Sequence, residues 1–170
     1  MNEKQVCCFT GHRNLPEWEK NSMRQKLEAV TREFAAAGIR TYCAGGAVGF
    51  DTLAEQVVLE LKKEFPQIRL VLVLPCRQQA KYWPERDKAV YQDILRRADE
   101  LIYVSEEYTK GCMQKRNRRL VEMSTICVTN LSRPTGGTAY TAAYAAKRGL
   151  SIINIAWNSS FIIENNKKYL

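Results

Sequence analysis

The sequence predicts an α/β fold in three layers, with a mostly parallel sheet of about six strands and helices on both faces. Short apolar segments alternate along the chain with longer segments of helical periodicity. The apolar run IRLVLVL at 68–74 is typical of a parallel strand covered on both faces. Repeated strand–helix–strand units of this kind form parallel sheets.

The first half of the chain contains three predicted strands and two predicted helices. The strands are expected at 6–10, 39–44 and 68–74, and the helices at 17–37 and 52–64. Apolar residues share one face of the first helix, namely Met23, Leu27, Val30 and Phe34. Gly38 follows that helix and is a common terminating residue.

The second half continues the alternation without an evident linker. Helices are expected at 84–98, 112–123 and 138–147, and strands at 100–104, 125–129 and 151–155. Pro84 suits the first turn of its helix. We therefore predict one domain over 1–157, followed by a polar C-terminal tail over 158–170.

Composition excludes several classes of protein. The chain has 170 residues, of which 45% are hydrophobic and 26% charged, as in an ordinary soluble domain. No apolar run approaches a membrane span, and the N-terminus does not resemble a signal peptide, so we expect a cytoplasmic protein without membrane contact. None of the six cysteines forms a C-x-x-C pair, and we expect neither a metal site nor a cofactor. Four cysteines lie in strand-like segments and are expected to be reduced core residues: Cys7, Cys8, Cys43 and Cys127.

The chain is basic, with 26 Lys and Arg against 18 Asp and Glu, a formal charge of +8. A positive surface favours anionic partners such as nucleotides, nucleic acid or acidic protein. The same excess could serve only to keep the protein in solution, so charge alone does not select a ligand.

Four loops fall at predicted carboxyl ends of strands, where open parallel sheets bind ligands. They are 11–13, 45–51, 108–117 and 135–138. In the loop at 11–13, Gly11 is followed by His12 and Arg13. Arg13 could hold a phosphate with its planar guanidinium. His12 could donate a hydrogen bond to a ligand, or could be bonded only within the protein, and it is a weak candidate for catalysis.

The loop at 45–51 reads GGAVGFD and is here named the first glycine turn. It has neither the G-x-G-x-x-G spacing nor the Gly-Lys-Ser/Thr ending of the common phosphate loops. Thr52 and Glu55 fit a capping box, and the carboxylate of Asp51 would repel a phosphate at the helix start. We therefore interpret the turn as the wall beside a nucleoside, formed by Gly45, Gly46 and Gly49. Asp51 would accept hydrogen bonds from ribose or base, or would only cap the helix.

The loop at 134–138 reads PTGGT, lacks an acidic residue, and is here named the second glycine turn. Free N–H groups at a helix start form a natural phosphate site. We therefore expect Gly136, Gly137 and Thr138 to hold phosphate. The alternative is a turn whose glycines serve only close packing.

The segment KGCMQKRNRRL at 110–120 is the most basic of the chain. On a helical wheel, Arg116 borders the apolar stripe and Asn117 lies within it, so both are predicted to face the site. Three other basic residues of the helix point away and are expected in solvent: Lys115, Arg118 and Arg119. As a rival, the five basic residues from Lys110 to Arg119 could form a nucleic-acid patch. Four aromatic residues could stack on a base or belong to the core or rim: Tyr82, Trp83, Tyr103 and Tyr108.

Taken together, these segments resemble the SLOG superfamily, the Rossmann-like group that includes the SMF/DprA and LOG proteins, and within it the YpsA-like branch. The matching segments cover nearly the whole chain: TGHR at 10–13, GGAVGFDTLA at 45–54, DELIYVS at 99–105, GCM at 111–113, RNR at 116–118 and GGTAYT at 136–141. The resemblance implies a Rossmann-like fold that binds a nucleotide or a nucleotide derivative at the strand ends. It also suggests a homo-oligomer, because relatives often form dimers.

The resemblance implies three functions among relatives. LOG enzymes cleave the N-glycosidic bond of nucleoside monophosphates, DprA proteins bind single-stranded DNA, and other SLOG domains are proposed sensors of nucleotide signals. This chain has Thr141 where LOG enzymes carry their catalytic glutamate. Catalysis would require another group, such as Asp51 or Glu122, so binding is favoured over catalysis. Nucleic acid is the second choice of partner.

Overall fold

The computed structural model describes residues 4–156; the tail predicted at 158–170 lies outside the described residues. Six strands alternate with five helices. The strands are β1 (Val6–Gly11), β2 (Thr41–Ala44), β3 (Arg69–Leu74), β4 (Glu100–Tyr103), β5 (Ile126–Asn130) and β6 (Ser151–Asn154). The helices are α1 (Glu17–Ala36), α2 (Phe50–Leu61), α3 (Glu85–Arg97), α4 (Cys112–Glu122) and α5 (Gly137–Lys147).

The strands form one sheet in the order β4-β3-β2-β1-β5-β6. All five neighbouring pairs are parallel. The predicted α/β fold with a parallel sheet of six strands is therefore confirmed.

Strand β1 lies at the point where the chain reverses its direction across the sheet. From β1 the chain runs outward through β2 and β3 to the edge strand β4, and then returns to β5 on the other side of β1. Cys8 of β1 is paired with Cys43 of β2 on one side and with Cys127 of β5 on the other. Loops that follow β1 and β5 diverge at such a point, and this opens a crevice at the carboxyl edge of the sheet.

Two apolar cores cover the two faces of the sheet. One core joins the sheet to α1, α2 and α3 through side chains such as Leu27, Val57 and Ile94. The other joins it to α4 and α5 through Leu120, Val121 and Ala145. The layers are therefore three helices, the sheet, and two helices, which agrees with the predicted arrangement.

Helix α2 begins two residues earlier than predicted, at Phe50, and the capping box expected from Thr52 and Glu55 is wrong. The Thr52 hydroxyl donates to the carbonyl oxygen of Ala47 at 2.9 Å, and Glu55 accepts from the N–H of Gly46 at 2.9 Å. Both side chains bond to the turn before the helix because this turn folds back over the start of α2.

All six cysteines are buried free thiols, including the four predicted to lie in the core. Within residues 4–156, none of the helices has the length and hydrophobicity needed to cross a bilayer.

Candidate functional site

A cavity of about 630 Å³ opens at the carboxyl edge of the sheet, where β1 and β5 diverge. Its wall combines the end of β1, the first glycine turn, one side of α4 and the start of α5. The lining residues are Phe9, Thr10, Gly11, His12, Arg13, Asn14, Ala47, Asp51, Met113, Gln114, Arg116, Asn117, Leu120, Arg133, Thr135, Gly136, Gly137, Thr138 and Tyr140.

The second glycine turn forms the open side of this cavity. Gly136 precedes α5 with a φ of 100°, a left-handed value that favours glycine. A methyl group added at Gly136 or Gly137 would meet no atom of the described chain within 4 Å. No described side chain caps α5, and its first turn carries no acidic residue. The N–H groups of this first turn lack helical partners and are therefore available to a ligand.

The first glycine turn, by contrast, is bonded by the protein's own side chains. Glu55 accepts from the N–H of Gly46, and the Asp51 Oδ2 accepts from the N–H of Ala47 at 3.3 Å. The Gln79 amide donates to the carbonyl of Gly46 at 2.6 Å. These bonds occupy backbone groups that a ligand would otherwise use.

Arg116 closes the first glycine turn from the side of α4. Its side chain is buried, and its Nη1 donates to the carbonyl oxygen of Gly45. Any side chain at Gly45 would overlap this guanidinium. The Arg116 Nε donates to the Oδ1 of Asn117 at 2.7 Å, which gives the amide in the apolar stripe its partner. Arg116 and Asn117 therefore form one bonded unit on the cavity wall.

Two buried carboxyl groups lie beneath this unit. Burial raises the pKa of Asp51, and the nearby charge of Arg116 opposes that rise. Burial and the neighbouring Asp51 together raise the pKa of Glu55 well above its ordinary value. Asp51 lines the cavity and is the one carboxylate among the lining residues, whereas Glu55 lies behind the turn.

The end of β1 supplies the remaining wall. Gly11 packs against the ring of Phe50 so closely that any side chain would overlap it. The exposed Arg13 lies with its Nη2 3.6 Å from the sulfur of Met113 on α4. His12 is 8% exposed, and its Nε2 accepts from the backbone N–H of Ser132 at 3.1 Å. Burial and the charge of Arg133 lower the pKa of His12.

Nine of the twelve residues proposed as ligand-binding line this one cavity: Gly11, His12, Arg13, Asp51, Arg116, Asn117, Gly136, Gly137 and Thr138. The other three lie apart from it. Gly45 lies beneath Arg116, Gly46 packs against Leu74, and Gly49 lies against the carbonyl of Arg13.

Other candidates from the sequence lie away from the cavity. Glu122 is exposed and accepts a hydrogen bond from the hydroxyl of Tyr144 at 2.9 Å. None of the four aromatic residues considered for base stacking is a lining residue. Trp83 instead packs edge-on against Tyr91, and the Arg77 guanidinium covers the ring of Tyr103.

Ten lining residues were not among the predicted ligand-binding residues, and two of them carry polar groups on the side of the second glycine turn, Arg133 and Tyr140. Arg133 directly precedes the second glycine turn and follows the end of β5, so its position at a strand end was the available signal. Tyr140 lies one turn into α5 and is 39% exposed. Its place in the helical pattern gave no sign that it borders a cavity.

The exposed basic residues of α4 form a separate surface, the α4 basic face, composed of Lys115, Arg118 and Arg119. Lys115 donates to the carbonyl oxygen of Val104 at 2.8 Å. Among residues 4–156, no group of three or more His, Cys, Asp or Glu side chains is arranged to hold a metal ion.

The chain belongs to the YspA SLOG family, whose model matches residues 4–151. It is 31% identical over 138 residues to the uncharacterized SPbeta prophage-derived protein YoqJ of Bacillus subtilis (strain 168), a match that covers 74% of this chain and 81% of that protein. The predicted membership of the SLOG superfamily and its YpsA-like branch is therefore confirmed.

Two solved structures of DNA processing protein A share the fold. The protein from Helicobacter pylori, whose structure was described for its single-stranded DNA binding mode, has a TM-score of 0.64 and 20% identity, over 88% of this chain and 64% of that one. The protein from Streptococcus pneumoniae has a TM-score of 0.66 and 16% identity, over 87% of this chain and 49% of that one. This chain thus spans 49% to 64% of those proteins, and the likeness supports the Rossmann-like fold.

Proposed function

We propose that this protein binds a nucleotide or a nucleotide derivative in the cavity at the carboxyl edge of the sheet. The second glycine turn holds the phosphate through Gly136, Gly137 and Thr138. Arg13 and Arg116 supply positive charge, and Asn117 orients the ligand. Asp51 faces the nucleoside. A protein that binds a nucleotide in this way would act as a sensor of that ligand.

The observation that carries this proposal is the balance of charge around an open helix start. Three arginines line the cavity against a single carboxylate, and the first turn of α5 is uncapped by any described side chain. Positive side chains and a helix N-terminus together favour an anionic group. The cavity volume of about 630 Å³ is in the range of small-molecule sites.

Substitution of Gly137 tests the phosphate role. Gly137→Asp places a carboxylate where the phosphate would lie, and its Cβ meets no atom of the described chain within 4 Å. Wild-type protein at a ligand concentration of 100 times Kd should gain about 2.7 kcal/mol of stability, or several degrees of melting temperature. We expect Gly137→Asp to abolish that gain across a panel of nucleoside mono- and diphosphates.

Gly137→Ala is the matched control because it keeps the backbone N–H and adds no charge. It should retain nucleotide stabilisation, and both variants should melt without ligand at or slightly above the wild-type temperature. An equal nucleotide response in wild type and Gly137→Asp would contradict the phosphate role. A wild-type protein that responds to no nucleotide in the panel would contradict the proposed function itself.

A glycosidase is a second candidate because Asp51, a buried carboxyl with a raised pKa, borders the cavity. A raised pKa is a property that a carboxyl group needs to act as a general acid. Incubation with the same panel should then release free base, and Asp51→Asn should stop the release. The absence of base release from every nucleotide would eliminate this candidate.

Single-stranded DNA binding is a third candidate, supported by the α4 basic face and by the function named for the Helicobacter pylori protein. Its affinity should fall by roughly 0.7 log units per log unit of salt for each phosphate neutralised. The double substitution Arg118→Ala with Arg119→Ala should reduce that slope. Binding that is absent or insensitive to salt would eliminate it.

A further inference from the structure

The imidazole of His12 lies between two hydrogen-bond donors. The backbone N–H of Ser132 donates to its Nε2 at 3.1 Å, and the Nη2 of Arg133 lies 3.3 Å from its Nδ1. A neutral imidazole has one accepting nitrogen and one N–H, and a guanidinium only donates. Both contacts therefore cannot be hydrogen bonds at once.

The Ser132 contact decides which nitrogen carries the proton. Its N–H is part of the backbone, whereas the Arg133 side chain is long and exposed. We assign the acceptor role to Nε2, so the proton of the neutral ring is on Nδ1. Burial and the charge of Arg133 lower the pKa of His12, which keeps the ring neutral at pH 7.

This tautomer leaves two donors side by side, the Nδ1–H of His12 and an Nη2–H of Arg133. Both residues line the cavity, and the His12 side chain is more than nine-tenths buried. Within residues 4–156, neither donor has an acceptor, because the polar atom within reach of each is the other's nitrogen, which itself carries hydrogen. Two donors that converge from neighbouring positions suit a shared acceptor, and the buried His12 donor needs one.

We propose that His12 and Arg133 together bind one anionic oxygen of the ligand's phosphate, an inference that rests on the proposed function. His12 acts as a neutral hydrogen-bond donor, with Nε2 engaged by the loop. Arg133 supplies the charge, and charge-assisted bonds of this type are the stronger ones. The pair stands beside the second glycine turn, so phosphate would be bound by backbone N–H groups and by two side chains from different strand ends.

The pair of donors recognises an anionic oxygen, which either a phosphate or a carboxylate of the ligand could supply. The phosphate is favoured because Arg133 directly precedes a turn whose helix start is open and free of acidic residues. Adenosine 5′-monophosphate, inorganic pyrophosphate and malonate distinguish the two sources. Malonate that competes as well as pyrophosphate would contradict the assignment to phosphate.

Two substitutions distinguish the roles of the two ring nitrogens of His12. Asparagine places an amide near the Nδ1 position and can keep the ligand donor. Glutamine places its amide near Nε2 and can still accept from Ser132, but it lacks the donor at Nδ1. For adenosine 5′-monophosphate we expect His12→Gln to weaken binding about tenfold and His12→Asn by less than about threefold.

Arg133→Ala should also weaken binding about tenfold. The double variant His12→Gln with Arg133→Ala should lose less than the product of the single losses, because both donors act on one oxygen. Arg40→Ala is the control and should bind as wild type, because Arg40 is exposed, precedes β2 and does not line the cavity. Melting temperatures without ligand show which variants remain folded.

The tautomer can be observed directly because His12 is the single histidine of the chain. In tag-free protein labelled with nitrogen-15, the imidazole shifts at pH 7 should identify a neutral ring protonated on Nδ1. Addition of adenosine 5′-monophosphate should slow the solvent exchange of that proton. A ring protonated on Nε2, or an imidazolium, would overturn the assignment with or without ligand.

The outcomes separate the two proposals. If wild type binds the nucleotide and His12→Gln binds it equally well, the donor pair is wrong and the proposed function stands. If wild type binds neither nucleotide nor pyrophosphate, both proposals fail together.

Discussion

The two glycine turns contain the same diglycine but differ in what surrounds their backbone groups. In the first turn, side chains of Glu55, Gln79 and Arg116 bond the backbone of Gly45 and Gly46. In the second turn, Gly136 and Gly137 face open space at an uncapped helix start. A glycine-rich loop next to a helix is therefore not by itself a ligand site. What matters is whether the N–H and carbonyl groups of the loop are already hydrogen-bonded to side chains of the protein.

The difference between the two turns also explains why the first turn can contain the carboxylate of Asp51. A carboxylate at a helix start repels phosphate, but in the first turn it accepts from the N–H of Ala47 and stays near the charge of Arg116. The second turn has no such group, which leaves its positive helix end available to an anion. In the proposed function, the first turn supplies a wall of the cavity, and the second turn supplies the groups that bind phosphate.

The largest expected effect comes from removing the cation that closes the first turn. Arg116→Met removes the closer donor to the carbonyl of Gly45, leaving it the Gln79 amide at 3.5 Å, and removes the positive charge that acts most strongly on Asp51. We expect a loss of about 3 kcal/mol in the free energy of unfolding, measured by urea denaturation at pH 7. Arg119→Met, exposed on the same helix, should change it by less than about 0.5 kcal/mol. A loss for Arg116→Met as small as for the control would show that the first turn does not depend on this contact.

A matched pair of glycine substitutions sharpens the contrast at intermediate size. Gly45→Ala forces a methyl group into the Arg116 guanidinium and should destabilise the protein by about 1–3 kcal/mol. Gly137→Ala meets nothing within 4 Å in the first turn of α5 and should be neutral or stabilise by up to about 1 kcal/mol. Thermal and urea unfolding of both variants measure the difference. Equal effects at the two positions would remove the distinction between a closed and an open turn.

The third expected effect depends on pH and is at most about 1.4 kcal/mol for each pH unit. The pKa of Glu55 is raised well above its ordinary value in the folded protein, so over the range above about pH 4.5 the folded chain keeps a proton that the unfolded chain has released. Stability should therefore fall as pH rises through this range, up to the folded pKa. Glu55→Gln resembles the protonated acid and removes this dependence.

Urea denaturation of both proteins between pH 5 and pH 7 tests the state of Glu55. The stability of Glu55→Gln relative to wild type should grow with pH, by up to about 1.4 kcal/mol per pH unit. Titrating groups far from Glu55 are common to both proteins and drop out of this difference, whereas Asp51 interacts with Glu55 and contributes to it. A difference that does not change with pH would mean that Glu55 is ionised in the folded protein.

Much of the fold could be predicted because its signals are local. Helix α1 could be predicted from the spacing of Met23, Leu27 and Phe34, and the apolar run of β3 indicated a parallel strand covered on both faces. The start of α2 was misplaced by two residues because the bonds of Thr52 and Glu55 depend on the path of the turn rather than on helix periodicity.

The candidate site was only partly accessible to such reasoning. Residues at strand ends, such as Arg13 and Gly137, could be named because the carboxyl ends of parallel strands meet at one edge. Tyr140 and Arg133 were missed because their relation to the cavity depends on the direction in which the second glycine turn leaves β5. His12 could be named, but the two donors around its ring could not.

The sequence by itself determined the order of strands and helices and the family, because periodicity and short motifs are properties of neighbouring residues. Only the tertiary structure decided which diglycine remains open. The carbonyl of Gly45 finds its donor 71 residues away in Arg116, and the ring of His12 finds Ser132 120 residues away. Such partners are chosen by how α4 and the β5–α5 loop pack against the sheet, and that packing determines which backbone groups are left for a ligand.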